Sequence, residues 1–206
     1  MLLDIHPQNP DARKIKQVVE ALRKGAVVIL PTDTIYALAC DLFQYKAFEQ
    51  ICRIKEVKPE KANFSLLCSD LSNISEFTRA FDRSIYKLLN RALPGPYTFI
   101  LEASSEVPSM FRSKKKTIGL RIPDNKIIQA VIAELGHPLV ATSLHHIDEL
   151  IEYPTDPQEI HEQYENLIEM MVDGGYGKIL ASTVIDCTDG EPKVIREGAG
   201  SVDILQ

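Results

Sequence analysis

No apolar run in this 206-residue chain approaches the roughly 20 residues that a membrane-spanning helix needs. The Met1 end lacks the basic-then-apolar plan of a secretory leader, so a cytoplasmic protein is expected. Cysteine is scarce: Cys40, Cys52, Cys68 and Cys187 are scattered, with no CxxC and no tight spacing. That excludes a disulfide framework and predicts reduced, mostly buried thiols. There is no GxxxxGK[ST] loop and no GxGxxG, so neither of the common phosphate cradles applies. His145-His146 with Asp148, and His137 nearby, show no HExxH or Cys/His ligand spacing. No protein-held metal is expected, and a divalent ion is expected only with a bound nucleotide.

Lys and Arg are missing altogether from 147 to 173, which hold nine acidic side chains. Removing those nine from the 29 acids leaves 20 against 23 Lys and Arg, a balance of +3 elsewhere. The acidic stretch reads as a solvated helix face, and the remaining cations are free to meet an anion. A net charge of −6 does not favour non-specific duplex binding. Hydrophobic content of 45% and charged content of 25% suit one globular domain covering 1–206.

Along the chain, Asn9-Pro10-Asp11 supplies a cap, a first-turn proline and an early acid for a helix. Ile15, Val18, Val19 and Leu22 share one face of that helix, and Gly25 ends it. Residues 26–30 read as a short strand covered on both faces, with pairing ended by Pro31. A helix follows over about 46–54, an apolar run at 64–68, and two helices between 72 and 92 broken near Phe81-Asp82. Leu93-Pro94-Gly95-Pro96 is a breaker before a strand at 97–101. A strand at 117–122, a helix capped by Asp124 and ended by Gly136, and a strand at 138–142 come next. Asp156-Pro157 opens the acidic helix, and strands are expected near 169–172, 182–187 and 193–196. This alternation predicts a single-domain α/β protein with a twisted, mixed parallel and antiparallel sheet and flanking helices.

The chemistry gathers at strand ends. Thr32-Asp33-Thr34 places two hydroxyls and a carboxylate after the 26–30 strand, either as a ligand site or as a turn that satisfies its own backbone. In the 117–122 strand the period of two puts Thr117, Gly119 and Arg121 on one face and Ile118, Leu120 and Ile122 on the other. An anion could lie on that bare glycine surface with Arg121 gripping it; the alternative is an Arg paired with an internal carboxylate. Lys55, Lys58 and Lys61 follow the 46–54 helix, where they also complement its dipole. Ser143, Ser182-Thr183 and Arg196 add hydroxyls and a cation. Arg112 with Lys114-Lys115-Lys116 forms a basic cluster that can contact phosphates or remain a solvated loop. With no nucleophile–base pair, the mixture suits holding a nucleotide.

Six ordered segments resemble the YrdC/YciO family, whose best-known members are threonylcarbamoyl-AMP synthases. They are Pro31-Thr32-Asp33-Thr34-x-Tyr36-x-Leu38, Leu93-Pro94-Gly95-Pro96-Tyr97-Thr98, Gly119-Leu120-Arg121-Ile122-Pro123, Asp173-Gly174-Gly175, Ser182-Thr183-Val184 and Arg196-Glu197-Gly198. The resemblance implies a YrdC-like fold with a concave, cationic cavity. It also implies conversion of L-threonine, bicarbonate and ATP, carried with Mg²⁺, to threonylcarbamoyl-AMP and pyrophosphate for tRNA modification. By position, Lys55 and Arg121 take the catalytic places. Thr32, Thr34, Tyr36, Thr98 and Ser182 would bind substrate, and Lys55, Lys58, Ser143, His145 and Arg196 the nucleotide.

Two departures bring the chain nearer the YciO branch. Where synthases carry Lys-x-Arg the run is Lys55-Glu56-Val57, and where they carry Ser-x-Asn it is Ser143-Leu144-His145. A bidentate phosphate grip and an amide that donates and accepts at once are both replaced. The alternative function is a tRNA- or double-stranded-RNA-binding protein that uses the same basic concavity without synthase activity.

Overall fold

The two ends of the first helix show how local chemistry sets the elements. A computed structural model describes residues 1–111, 116–144 and 153–205 of the chain. Helix α1 (Ala12–Arg23) is capped by Asp11, whose carboxylate accepts from the Arg13 and Lys14 amides at 2.7 and 3.3 Å. Asp11, not the expected Asn9, takes this place because it stands directly before the first helical residue, the spacing at which a side chain reaches those amides. Gly25, at φ +88°, lets the chain turn off the helix end. Ile15, Val18, Val19 and Leu22 are buried, as their shared face requires. The same substitution of neighbours occurs at α5 (Lys126–Leu135), which is capped by Asn125 rather than Asp124.

The other helices are α2 (Tyr45–Ile54), α3 (Leu71–Phe77), α4 (Arg83–Ala92) and α6 (Pro157–Tyr164). The last is capped by Asp156 and exposes Glu159 and Glu162 to solvent while burying Ile160 and Tyr164. The acidic stretch is thus a solvated face where it is helical.

Among the described residues ten strands form one sheet: β1 (Leu2–Asp4), β2 (Val28–Leu30), β3 (Ala37–Asp41), β4 (Ser65–Leu67), β5 (Tyr97–Glu102), β6 (Thr117–Arg121), β7 (Leu139–Ser143), β8 (Met170–Asp173), β9 (Thr183–Asp186) and β10 (Lys193–Arg196). Their order is β1-β8-β2-β3-β7-β4-β6-β5-β9-β10. β8 pairs in parallel with β1 and β2, and β6 in parallel with β4, whereas β3 and β7 run antiparallel to their neighbours. The sheet is therefore mixed.

Alternation along the strands sorts the interior into two layers. Val27, Ile29, Leu38, Cys40, Leu66 and Val140 point into a large core built with α2, α3, α4 and α6. Val28, Leu30, Ala37, Ala39, Leu67, Leu139 and Ala141 point the other way, into a smaller core under α1 and α5. Each fully buried aliphatic side chain contributes about 1.5–3 kcal/mol. Of the described helices, four pack on one face of the sheet and two on the other. On the second face α1 and α5 cover only part of the sheet, and the stretch around Ser65, Ile100, Gly119, Ser143 and Val184 lies outside that smaller core.

Candidate functional site

That uncovered stretch is the floor of a cavity of about 470 Å³. Its floor is made mainly by every second residue of adjacent strands: Ala37 of β3, Ala141 and Ser143 of β7, Ser65 and Leu67 of β4, Thr117, Gly119 and Arg121 of β6, Thr98 and Ile100 of β5, and Val184 of β9; Ile118 and Thr142 between them also border it. Ala141, Ser65, Gly119 and Ile100 stand in one cross-strand row. Gly119 keeps the floor low: a Cβ there would lie 2.6 Å from Ser65 Oγ.

At one end of the floor Arg121 comes up against the loop that joins β2 to β3. Residues 31–36 are a hairpin connection, because the run Ala37-Leu38-Ala39-Cys40-Asp41 returns as an antiparallel strand beside β2. Within it Thr32 Oγ1 donates to the Ile35 carbonyl at 2.7 Å and accepts from the Thr34 amide at 3.0 Å. Arg121 Nη2 donates to Thr34 Oγ1 at 2.8 Å, to Thr32 Oγ1 at 3.4 Å and to Asp33 Oδ1. The threonine turn and the internally paired arginine foreseen as alternatives therefore coexist with a place in the cavity wall. Burial lowers the Arg121 pKa from its ordinary value, and Asp33 opposes that shift while Arg196 adds to it. The guanidinium remains a cation throughout.

Across the floor, Thr98 Oγ1 and Ser182 Oγ share a hydrogen bond of 2.8 Å, and Arg196 Nη2 donates to the Ser182 carbonyl at 2.8 Å. Gly198 permits this approach, since a Cβ there would lie 2.3 Å from the Ala181 carbonyl oxygen. Lys55 follows α2 and donates from Nζ to the Ser143 carbonyl at 2.9 Å. Partial burial pulls its pKa down to about 8. Among the described residues the charged side chains lining the cavity are Arg121 and Arg196, both cations.

Thr32, Thr98, Arg121, Ser143, Ser182 and Arg196 thus line one cavity; Thr34 lies just behind it and Lys55 beside it. Tyr36 does not line it. Its ring is buried behind the hairpin, and its hydroxyl donates to the Gly175 carbonyl at 2.6 Å and accepts from the Gly174 amide at 3.2 Å. Desolvation raises that phenol to about 12. Tyr36 thus binds the Asp173-Gly174-Gly175 turn. Lys58 is exposed and outside the lining, at the head of a short 3-10 turn. Val57 packs partly buried against the large core. His145, His146 and Asp148 lie outside the described residues, as do Arg112, Lys114 and Lys115 of the basic cluster.

The sequence patterns left Asn63, Phe64, Ser65 and Phe111 unassigned, yet all four line the cavity. Only Ser65 carried a signal, the alternation of its strand. All four cysteines are unpaired and buried, and desolvation raises the Cys52 and Cys187 thiols to about 11 and about 12. Among the described residues no group of three or more His, Cys, Asp or Glu is placed to hold a metal, and no helix is long and apolar enough to cross a membrane.

The family model Sua5_yciO_yrdC, described as "Telomere recombination", matches residues 20–198. The chain belongs to the Sua5/YciO/YrdC family. It is 44% identical over 200 residues to YciO of Escherichia coli K12, covering 96% of this chain and 95% of that one. The crystal structure of E. coli YciO superposes with a TM-score of 0.93 at 40% identity, covering 100% of this chain and 99% of the other. A threonylcarbamoyl-AMP synthase from Vibrio vulnificus is 30% identical over 131 residues, 63% of this chain and 70% of that one. P. abyssi Sua5, crystallised with L-threonine, aligns with a TM-score of 0.86 at 25% identity over 96% of this chain and 57% of its own. Membership of this family and a mixed sheet flanked by helices agree with the expectation from the six sequence segments.

Proposed function

We propose that the chain binds an adenine nucleotide and L-threonine in the sheet cavity and carries out threonylcarbamoyl-AMP synthase-type chemistry. In that reaction threonine, bicarbonate and ATP yield threonylcarbamoyl-AMP, pyrophosphate and water, with Mg²⁺ entering as part of the ATP substrate complex. One observation carries the reading: cations and hydroxyls from separated segments converge on one uncovered patch of sheet. A cavity of about 470 Å³ is of the size that small-molecule sites occupy. Relatives support it in kind, one named as the synthase and one crystallised with L-threonine.

The work assigned to these side chains is orientation and charge neutralisation. Arg121 with Thr32 would hold the threonine or carbamate oxygens. Lys55 and Arg196 would face the phosphates, where negative charge is redistributed as pyrophosphate departs. Ser143 and Ser182 would fix the ligand by hydrogen bonds. The test is isothermal titration with ATP and L-threonine, together with a mass-spectrometric product assay. Neither binding nor product at millimolar ligand would overturn the proposal. The RNA-binding alternative would use the same basic concavity together with the 112–116 cluster, of which only Lys116 is described.

A further inference from the structure

Arg121 lines the sheet cavity, while Asp33, its partner, lines a second cavity of about 460 Å³ shared with Asp124, Lys178, Ile179 and Leu180. The ion pair therefore stands between two spaces. Both side chains are only 9% exposed, but their fit is incomplete. Thr32, Asp33 and Thr34 all converge on the single nitrogen Nη2, whereas Arg121 Nε and Asp33 Oδ2 are buried with no hydrogen-bond partner. Carboxylate–guanidinium pairs are frequently bidentate, with two parallel bonds. Each buried polar atom left without a partner costs about 1–3 kcal/mol. The pair is thus satisfied on one arm and available on the other.

We propose that Asp33 is an internal counter-anion of Arg121, exchanged for the carboxylate, carbamate or phosphate oxygens of a ligand entering the sheet cavity. Before exchange Asp33 neutralises Arg121, so the lining shows an anion little more than Arg196. After exchange both guanidiniums face the ligand, and Asp33 turns into the second cavity, where Lys178 offers it a cation and Asp124 a second carboxylate. The repulsion that already exists between Arg196 and Arg121 is relieved by the same anion. This deepens the proposed ligand-binding role of the cavity and rests on it.

The test compares wild type with Asp33→Asn in the full chain, by thermal melting and titration calorimetry. The probes are sodium phosphate, L-threonine and L-threoninamide, which lacks the carboxylate. Without anion, Asp33→Asn is expected to melt below wild type, because Arg121 is left buried and unpaired. It should bind phosphate or L-threonine about tenfold or more tighter, with no gain for L-threoninamide. A gain with threonine alone assigns the carboxylate as the exchanging group, and a gain with phosphate alone assigns the phosphate. Unchanged or weaker binding of both anions overturns the proposal, as does an equal gain for L-threoninamide. If Asp33→Asn gains phosphate stabilisation while neither protein binds ATP or threonine, the counter-anion stands and the synthase reading falls. Should that variant not fold, the Asp33 carboxyl resonance of ¹³C-aspartate-labelled wild type is followed through a millimolar phosphate titration. Movement supports exchange, and a fixed signal overturns it.

Discussion

Removing the Lys55 ammonium should change how stability responds to pH. Burial brings the Lys55 pKa from the ordinary 10.5 down to about 8, so between these values the unfolded chain holds a proton that the folded one has released. Stability carried by this group therefore rises with pH from about 8 to 10.5 and is flat outside that window. Fully realised, a depression of that size corresponds to about 3.4 kcal/mol, at about 1.36 kcal/mol for each decade. The ammonium is only partly buried, and solvent screening reduces the figure to about 1–2 kcal/mol. Lys55→Met also removes the hydrogen bond to the Ser143 carbonyl, but that loss adds a constant offset below pH 8. The informative quantity is thus the change in the stability difference between wild type and Lys55→Met. Urea unfolding at intervals from pH 7 to 10.5 should show wild type gaining about 1–2 kcal/mol on the variant. Other titrating groups, the tyrosines and thiols included, are common to both proteins and cancel. Parallel curves across the window would refute a desolvated ammonium at this position.

Gly119→Ala should cost about 1–3 kcal/mol through contact with Ser65 Oγ and weaken ligand binding in calorimetry. Adding Ser65→Ala should recover most of the stability while the methyl still obstructs the floor. Val57→Arg, which restores the synthase pattern, should lower the urea midpoint by an amount equivalent to about 1–3 kcal/mol, because Val57 packs against the large core. Asp11→Ala should destabilise by about 1 kcal/mol in thermal melts, whereas Asn9→Ala should be close to neutral.

The legible parts of the fold were those with strong local signals. Ile15, Val18, Val19 and Leu22 repeat at helical spacing, and β2 stops at Pro31, whose ring removes a ladder donor. β3 was not legible. Its Ala-Leu-Ala-Cys run has little strand propensity, and it forms because β2 and β7 bury it from either side. The alternation in β6 announced that Gly119 and Arg121 share a surface, and they do. That Asp33 would be the carboxylate at Arg121, or that Phe111 would reach the cavity, depends on tertiary approach and leaves no local mark. The place of Tyr36 outside the cavity lining has a related reason. Sequence order puts it among the ligand hydroxyls, whereas the connection before β3 carries its ring under the Gly174-Gly175 turn.

The interleaving of floor and interior along the same strands has a mechanical consequence. In β6, Thr117, Gly119 and Arg121 meet the ligand space, while Leu120 and Ile118, which also borders that space, are core residues. Inserting or deleting one amino acid there would invert both sets at once, wetting the two aliphatics and driving a guanidinium inward. Such a protein can alter what it grips only by replacing one side chain at a time, never by sliding a segment.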